Sequence, residues 1–269
     1  MKVLAAAVQM SSGPDKERNL ALAERLIRQA AARGATIVVL PEVFNWRGRR
    51  TEQEAAAEDL NGVTLRAMAR LARELGLFLV AGSITERIAG QTKAYNTSVL
   101  LDPDGAILGI YRKIHLFDIE LSGRVSARES DAKMAGSEVT CVAAPPASFG
   151  LSVCYDLRFP ELYRKLAERG ATVVSIPSAF TYPTGEAHWE VLVRARAIEN
   201  QVFVIAAGQF GPNVHGFSDY GNSMIVDPWG RVLVRAGSER EEVIVAPLDF
   251  EELHRMRREL PCLQHRRLF

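Results

Sequence analysis

The chain contains an internal repeat, and this repeat constrains the fold more than any other feature of the sequence. Residues 33–44 (RGATIVVLPEVF) and 169–180 (RGATVVSIPSAF) are identical at seven of twelve aligned positions. In each copy a Gly typical of a helix end precedes a short apolar run, and a Pro marks the turn that follows. The repeat therefore predicts two halves that share one order of helix, buried strand and turn.

A second pair of similar segments occurs in the same order along the chain. Residues 95–105 (YNTSVLLDPDG) and 220–230 (YGNSMIVDPWG) are both predicted hairpins, since Pro opens and Gly closes a turn between apolar strands. Apolar residues at helical spacing, together with turn signals, predict helices over about 15–32, 64–75, 160–169 and 186–200. Each half is thus predicted to run strand, helix, strand, helix, strand and hairpin.

Two half-sheets of this kind, with helices on one face each, can bury their remaining faces against one another. The predicted fold is therefore α/β, a four-layer α-β-β-α sandwich with an internal pseudo-two-fold repeat. A chain of 269 residues is long enough to bury this core as a single domain. We expect the core at about residues 1–250 and a C-terminal tail at 251–269 that forms oligomer contacts, with Leu268 and Phe269 reaching a partner subunit.

Composition excludes several classes of function. The 33 Lys and Arg residues nearly balance 32 Asp and Glu, so the net charge of +1 gives no reason to expect nucleic acid or a membrane surface as partner. No apolar run has the length of a bilayer-spanning helix, and residues 1–8 are predicted to be a buried strand rather than a signal peptide. Three cysteines favour a reducing, cytoplasmic compartment without a disulfide framework, and five scattered histidines argue against a zinc site.

The strand ends carry the candidate functional side chains. Cys154 lies where an apolar strand ends and a helix follows, and a nearby helix N-terminus is expected to favour its thiolate form. Glu42 follows the Pro of the first repeat, where the second copy has Ser178. Because Glu42 and Cys154 lie at corresponding rims of the two half-sheets, the pseudo-symmetry can bring them together.

Each candidate also has a purely structural interpretation. Lys113 at the end of an apolar strand can simply extend its ammonium to solvent. Glu42 can cap a helix, and Glu129 lies in a polar loop where carboxylates are commonly solvated. Cys154 can be a thiol of the core. Residue types and spacing alone leave both interpretations open.

Four segments taken together resemble the nitrilase, or carbon–nitrogen hydrolase, superfamily. They are Pro41-Glu42, residues 111–118 (YRKIHLFD), Glu129-Ser130 and residues 153–162 (VCYDLRFPEL). Their order matches the Glu, Lys, Glu, Cys set of that family, and the resemblance extends over essentially the whole chain. It implies the same α-β-β-α fold, a small-molecule amide substrate, assembly into a homodimer or larger homo-oligomer, and no metal or cofactor.

The resemblance also implies a role for each residue of the set. Glu42 would take the thiol proton of Cys154, whose sulfur attacks the amide carbonyl. The ammonium of Lys113 and the backbone N–H of Tyr155 would stabilise the oxyanion, and Glu129 would hold Lys113 charged and aligned. Glu42 would then pass its proton to departing ammonia and activate the water that hydrolyses the thioester.

Two further segments resemble the Nit branch of the family. They are residues 184–200 and 260–267. This resemblance implies an ω-amide substrate with a 2-oxo acid end, and deaminated glutathione is expected in preference to 2-oxoglutaramate. Arg158 is the candidate for binding the 2-oxo acid carboxylate, the alternative being that it only pairs with Asp156 or Glu161.

The sequence also contains features around the predicted site, and it is compatible with other classes of function. The Gly-rich segment 209–218 is a predicted pocket rim, and Glu186 replaces a Pro that is usual in the family, which affects local loop shape. Alternatives within the family are a nitrilase, an aliphatic amidase or an N-carbamoyl amino acid hydrolase. Outside catalysis, a silent binding protein on the same fold and a redox-sensing thiol protein remain open, although neither Cys141 nor Cys262 is predicted to lie near Cys154.

Overall fold

The secondary structure follows the predicted order of elements in both halves of the chain. A computed structural model describes residues 2–123 and 125–268, so the predicted contacts of Phe269 lie outside the described residues. The strands are β1 Lys2–Gln9, β2 Ile37–Val39, β3 Phe78–Val80, β4 Ile84–Arg87, β5 Ala94–Leu101, β6 Ile107–Arg112, β7 Asp118–Leu121, β8 Val125–Arg128, β9 Cys141–Ala144, β10 Ala147–Leu151, β11 Val173–Ser178, β12 Phe203–Gly208, β13 Phe210–Pro212, β14 Ser218–Tyr220, β15 Met224–Val226, β16 Val232–Arg235 and β17 Glu242–Asp249. The helices are α1 Lys16–Ala32, α2 Gln53–Ala56, α3 Val63–Leu75, α4 Pro160–Glu168, α5 Tyr182–Asn200 and α6 Phe250–Glu259, with 3₁₀ turns at Arg50–Glu52, Glu129–Asp131 and Cys154–Arg158.

The two main sheets repeat one strand order. In the first sheet β1, β2 and β3 are parallel, and β5 follows antiparallel with β4 and β6 beside it. In the second sheet β10, β11 and β12 are parallel, and β15 and β16 follow antiparallel. An antiparallel strand flanks the first strand of each sheet, β17 beside β1 and β9 beside β10. The predicted internal repeat is confirmed.

The side chains that alternate along each strand divide the core into layers. In β1, Ala5 and Ala7 belong to the core shared with the second sheet, whereas Ala6 and Val8 pack with the residues of α1 and α3. Successive side chains of a strand point to opposite faces, so this division places β1 between the other sheet and its own helices. On the far side, α4 and α5 pack against the second sheet through residues such as Leu166 and Trp189. The four-layer sandwich is therefore confirmed.

The helix boundaries agree with the prediction except at α5. Asp15 caps α1, its side chain accepting a hydrogen bond from the Arg18 N–H at 3.0 Å. Helix α5 begins at Tyr182, four residues before the predicted start, because Pro183 lies in its first turn, where a missing N–H costs nothing. Glu186, predicted near the start of the helix, is consequently an exposed residue one turn inside it.

A helix that crosses a bilayer must be both long and apolar. None of the helices within residues 2–123 and 125–268 combines the length and the apolarity that crossing a membrane requires.

Helix α6 was predicted as a short amphipathic segment after the core, and it is found there. It buries Phe250 and Leu253, half-buries Met256 and Arg257 and exposes its other residues, and Asp249 accepts hydrogen bonds from its first turn.

Candidate active site

Segments that are distant in the sequence meet at one cavity of about 350 Å³. Its lining includes the whole predicted catalytic set, Glu42, Lys113, Glu129 and Cys154. Glu42 lies after β2, Lys113 directly after β6, Cys154 after β10, and Glu129 begins a 3₁₀ turn after β8. Ends of strands from both halves therefore supply the cavity, and its volume suits a small molecule.

Lys113 is a buried ammonium held between two carboxylates. Its side chain is 2% exposed, and Nζ lies 3.0 Å from Glu42 Oε1 and 2.7 Å from Glu129 Oε2. Burial alone would lower the pKa of Lys113, but the charges of Glu129 and Glu42 outweigh burial and hold that pKa well above its ordinary value. For Glu129, burial would raise the pKa, yet the charge of Lys113 and its hydrogen bond lower it. Lys113 is therefore charged and Glu129 ionised at neutral pH.

Asn96 of β5 connects the two carboxylates. Its Nδ2 donates to Glu42 Oε1 at 2.8 Å and to Glu129 Oε1 at 3.1 Å, and its backbone carbonyl accepts from the backbone N–H of Lys113 at 2.8 Å. Sequence reasoning missed this residue. No sequence signal distinguishes it, because the neighbouring Thr97 and Ser98 of β5 are also polar and buried.

The carboxylate of Glu42 is fixed by the other copy of the repeat. Its Oε2 accepts a hydrogen bond from the backbone N–H of Ala179 at 2.9 Å. Ala179 directly follows Ser178, the residue that aligns with Glu42 in the repeat. The Glu42 carbonyl also accepts from Gln209 Nε2 at 2.9 Å. Both halves of the molecule therefore position this carboxylate.

Cys154 carries a protonated thiol, the form from which Glu42 is predicted to take the proton, although a helix N-terminus nearby would favour the thiolate. The residue is 6% exposed and begins the 3₁₀ turn with φ of 50°. Burial and the nearby carboxylate of Glu42 raise the pKa of the thiol well above its ordinary value, although Lys113 acts in the opposite direction. Helix α4 begins only at Pro160, so its N-terminus does not outweigh burial. A nucleophile in this state needs a base.

Asp156 fixes the turn that carries the thiol. This fully buried carboxylate accepts from the Val153 N–H at 2.8 Å, the Tyr111 hydroxyl at 2.7 Å and the His115 N–H at 3.1 Å. Its Oδ1 also lies 2.8 Å from His115 Nδ1. The left-handed backbone of Cys154 is strained for a residue other than Gly and requires such support. Asp156 thereby joins the segment after β6 to the nucleophile turn, a role that the sequence did not reveal.

The structure does not bring Arg158 to the cavity. Its guanidinium lies over the rings of Tyr155 and Phe180, which themselves line the cavity, and Nη1 lies 3.2 Å from His188 Nδ1. Among the described residues it forms no hydrogen bond or ion pair with Asp156 or Glu161, so the alternative prediction of such a pairing is wrong, and its binding of a substrate carboxylate stays a prediction. Stacking on the aromatic rings is the interaction that Arg158 makes instead.

Further cations in the cavity lining were missed. Arg47 is buried and pairs with Asp219 of β14, next to the predicted rim segment, which contributes His215 and Phe217 to the lining. Lys133 is 7% exposed, and burial lowers the pKa of its ammonium to about 7. Neither lies in a recognisable motif, and only the tertiary fold reveals that their side chains reach the cavity.

The donor groups of the site suit acyl transfer to sulfur. A buried thiol lies with a carboxylate and with an ammonium that is kept charged, the combination that general-base-assisted nucleophilic attack requires. Within the part of the chain that the structure describes, no group of three or more His, Cys, Asp and Glu side chains is placed to hold a metal ion.

Fold and site together define a hydrolase of carbon–nitrogen bonds. Residues 4–258 match the carbon–nitrogen hydrolase family, and the chain belongs to that family, as predicted. It is 45% identical over 271 residues to human deaminated glutathione amidase, covering 98% of this chain and 82% of the relative. It is 39% identical over 262 residues to mouse omega-amidase NIT2, covering 97% of this chain and 94% of the relative.

A solved structure supports the same assignment of the fold. The C. elegans NitFhit protein superposes with a TM-score of 0.92 at 38% identity, over 99% of this chain. The present chain spans 65% of the length of that protein. The predicted family and its fold are therefore confirmed, and the protein is a carbon–nitrogen hydrolase.

Proposed function

We propose that the protein hydrolyses the ω-amide bond of a 2-oxo acid, with deaminated glutathione as substrate, through a thioester at Cys154. The observation that carries this proposal is the location of the Cys154 thiol in one cavity with the Glu42 carboxylate and with Lys113, whose ammonium is held charged. Two relatives named deaminated glutathione amidase and omega-amidase support the substrate class.

The first step forms the bond between sulfur and the acyl carbon. The thiol of Cys154 is protonated at rest, so Glu42 removes its proton as the sulfur attacks the amide carbonyl. The ammonium of Lys113 and the backbone N–H of Tyr155 stabilise the oxyanion, and the loss of one such donor typically costs about 100-fold or more in rate. Glu129 keeps Lys113 aligned.

The second step breaks the carbon–nitrogen bond. Glu42 gives its proton to the departing nitrogen, and the carbonyl re-forms as a thioester. Deaminated glutathione would release the amine of cysteinylglycine, whereas a primary amide such as 2-oxoglutaramate would release ammonia. The ammonia predicted from sequence therefore applies to the second substrate. Both substrates leave the same acyl group on sulfur.

The third step regenerates the enzyme. Glu42 takes a proton from water, the resulting hydroxide adds to the thioester carbonyl, and the Cys154 sulfur departs and regains a proton. The oxyanion of this step uses the same donors as that of the first. The same 2-oxo acid is released in either case, which supplies a common readout.

The choice between the two substrates is supported by the size and charge of the cavity. Deaminated glutathione carries a carboxylate at each end, and the lining includes Arg50 and Arg128, which are exposed. We propose that these cations face the leaving peptide. The test is kcat/KM for each substrate, measured as release of 2-oxoglutarate. A higher value for deaminated glutathione is expected, and a large excess for 2-oxoglutaramate would establish the omega-amidase alternative.

Alternative activities within the family are tested with a panel of substrates. Nitriles, N-carbamoyl amino acids and short aliphatic amides are compared with the ω-amides under the same conditions. We expect the ω-amides to be turned over fastest. Faster hydrolysis of a nitrile or a carbamoyl compound would overturn the proposed substrate class.

We further propose that the protein forms a homodimer or larger homo-oligomer in the cytoplasm. An exposed apolar surface supports assembly, with Val191 67% exposed, Ile198 48% and Trp229 60%. The cysteines Cys141, Cys154 and Cys262 are free thiols, which supports a reducing compartment. Sedimentation should show an oligomer that Val191→Glu converts to monomer, and a monomeric wild-type protein would contradict the assembly.

A further inference from the structure

We propose that Lys133 binds the carboxylate at the end of the substrate's acyl chain. This inference rests on the proposed function, since it assigns the group that recognises the 2-oxo acid end. Lys133 lines the same cavity as Cys154 and follows the 3₁₀ turn that begins at Glu129. Its backbone N–H donates to the Glu129 carbonyl at 2.9 Å, so it is held beside the catalytic set.

The ammonium of Lys133 has donors available for a ligand. Its Nζ donates to the hydroxyl of Thr85 at 2.6 Å, and among the described residues this is its one hydrogen bond. An ammonium has three donors, so two remain. The Thr85 hydroxyl also lines the cavity, and because it accepts from Lys133 its own proton can be donated to a ligand.

The other cations of the lining have carboxylate partners or are exposed. Lys113 is held by Glu42 and Glu129, and Arg47 by Asp219. Arg50 pairs with Asp131, and Arg128 is exposed. Within residues 2–123 and 125–268, Lys133 is thus the one buried cation of the lining without a carboxylate partner. A buried charge in this state is costly unless a ligand supplies the counter-ion.

The charge of the site requires a further cation when the substrate is an anion. The carboxylates of Glu42 and Glu129 exceed the ammonium of Lys113 by one negative charge, which repels an acyl chain ending in a carboxylate. Lys133 balances that charge. Burial and the charge of Lys113 lower the pKa of Lys133 to about 7, although Glu129 and Glu42 act in the opposite direction. A bound carboxylate would therefore favour the protonated form.

The buried location of Lys133 assigns it to the acyl end rather than to the leaving group. The leaving amine must depart while the acyl group stays on sulfur, so the leaving group belongs at the open side of the cavity. Arg50 and Arg128 are exposed, whereas Lys133 is 7% exposed. A single ammonium supplies the positive charge that a carboxylate requires. Together with one neighbouring hydroxyl it also supplies hydrogen-bond donors for the two carboxylate oxygens.

Binding to a protein that cannot turn over tests the inference. Glutaramate and pentanamide have the same chain and amide and differ only in a terminal carboxylate or methyl group. In a Cys154→Ala background, calorimetry should show glutaramate binding at least about tenfold more tightly than pentanamide, the factor typical of one charge-assisted hydrogen bond. Adding Lys133→Met should remove that difference. Adding Lys165→Met, an exposed lysine on α4 outside the cavity, should leave it unchanged.

A second measurement on the Cys154→Ala protein itself does not depend on the stability of the lysine variant. The charged or polar groups that face Lys133 are Glu129, Glu42, Lys113 and Thr85. Burial and Arg47 lower the pKa of His215, so this cavity histidine is already neutral at pH 7. Between pH 7 and 9 glutaramate should therefore bind progressively more weakly, and pentanamide should not.

The outcomes separate this inference from the proposed function. Equal effects of Lys133→Met on both ligands, or glutaramate affinity that is constant from pH 7 to 9, would overturn the role of Lys133. Failure of the wild-type enzyme to hydrolyse deaminated glutathione or 2-oxoglutaramate would overturn the proposed function instead. The binding experiments do not require turnover, so each result can be obtained without the other.

Discussion

At the scale of single residues, the reactivity of Cys154 depends on the neighbouring Glu42 carboxylate as a base, and not on a lowered pKa of the thiol. Burial and the Glu42 carboxylate raise the pKa of the thiol, while the same carboxylate is available to remove the proton during attack. This arrangement keeps the sulfur protonated until substrate is bound. The sulfur therefore depends on the general base Glu42 for its activation, and the helix N-terminus expected to favour the thiolate does not outweigh burial.

Replacing the nucleophile tests this account directly. Cys154→Ala should lower 2-oxoglutarate release by roughly 10³-fold or more, because no other group of the cavity can form the thioester. The thermal unfolding temperature should remain close to that of the wild type. Cys141→Ala, at a half-buried cysteine whose sulfur contacts the Arg169 carbonyl, is the matched control and should retain activity. Undiminished turnover by Cys154→Ala would refute the assignment.

Removing one of the carboxylates around Lys113 should change the pH profile. Glu129→Gln keeps the size of the side chain but removes a charge that raises the pKa of Lys113. Glu129 also raises the pKa of Lys133, so both pKa values should fall, the alkaline limb of kcat/KM should move to lower pH, and kcat should drop roughly tenfold to a hundredfold. A drop in kcat with an unchanged pH profile would show that Glu129 acts only as a structural residue.

At the scale of elements, the nucleophile turn and the segment after β6 are joined by one buried carboxylate. Asp156 accepts hydrogen bonds from both segments, so the position of the thiol and the position of the ammonium are coupled. No regular secondary structure links these two segments. The geometry of the site therefore depends on a side chain rather than on a ladder of backbone hydrogen bonds.

Asp156→Asn should disturb this connection. The amide nitrogen cannot accept a hydrogen bond, so at least one of the N–H donors at Val153 and His115 is left unpaired. We expect the free energy of unfolding to fall by about 1–3 kcal/mol, the usual effect of an unsatisfied buried donor. Urea denaturation measures the change, and kcat should fall in parallel. Asp104→Asn in the exposed β5–β6 hairpin is the control, and an equal effect there would contradict the coupling.

The sequence predicted elements better than contacts, for a physical reason. Apolar periodicity and capping residues are local signals, and they predicted helices α1, α3 and α4. The internal repeat supported the prediction of the parallel strands, because the same pattern occurs in both halves. Helix α5 starts earlier than predicted because Pro183 lies in its first turn, where the missing N–H of Pro is tolerated. The pairing of β17 with β1 joins opposite ends of the chain, and no local pattern predicts it.

The same distinction holds for the site. Glu42, Lys113, Glu129 and Cys154 lie in motifs that resemble a family, and all four reach one cavity. The positions of Asn96, Asp156 and Lys133 became apparent only from the tertiary contacts of their side chains, which depend on strands distant in sequence. Arg158 shows the converse error, since nearness to the nucleophile in sequence did not place its guanidinium in the cavity.

At the scale of the whole molecule, β17 connects the two halves. Its eight residues pair antiparallel with all of β1, from Lys2 opposite Asp249 to Gln9 opposite Glu242. The strand follows the second sheet in the chain but belongs to the first. The C-terminal part of the core is therefore required to complete the sheet of the N-terminal half.

Truncation tests the contribution of β17. A chain that ends at Glu241 lacks β17 and leaves β1 as an unpaired, apolar edge, so it should aggregate or fail to fold. A chain that ends at Glu259 keeps β17 and α6 and should remain folded. Circular dichroism and sedimentation distinguish the two. A soluble, cooperatively melting protein without β17 would show that the first sheet is stable alone.

The hydrogen bond between the Glu42 carboxylate and the Ala179 N–H makes the position of the catalytic base depend on the packing of the two halves against each other. A slight separation of the two sheets would break this hydrogen bond to the base, while the backbone hydrogen bonds within each sheet and each helix would remain. Turnover should then be lost at a lower urea concentration than the far-UV ellipticity that reports secondary structure. Loss of activity would therefore detect separation of the two sheets before global unfolding.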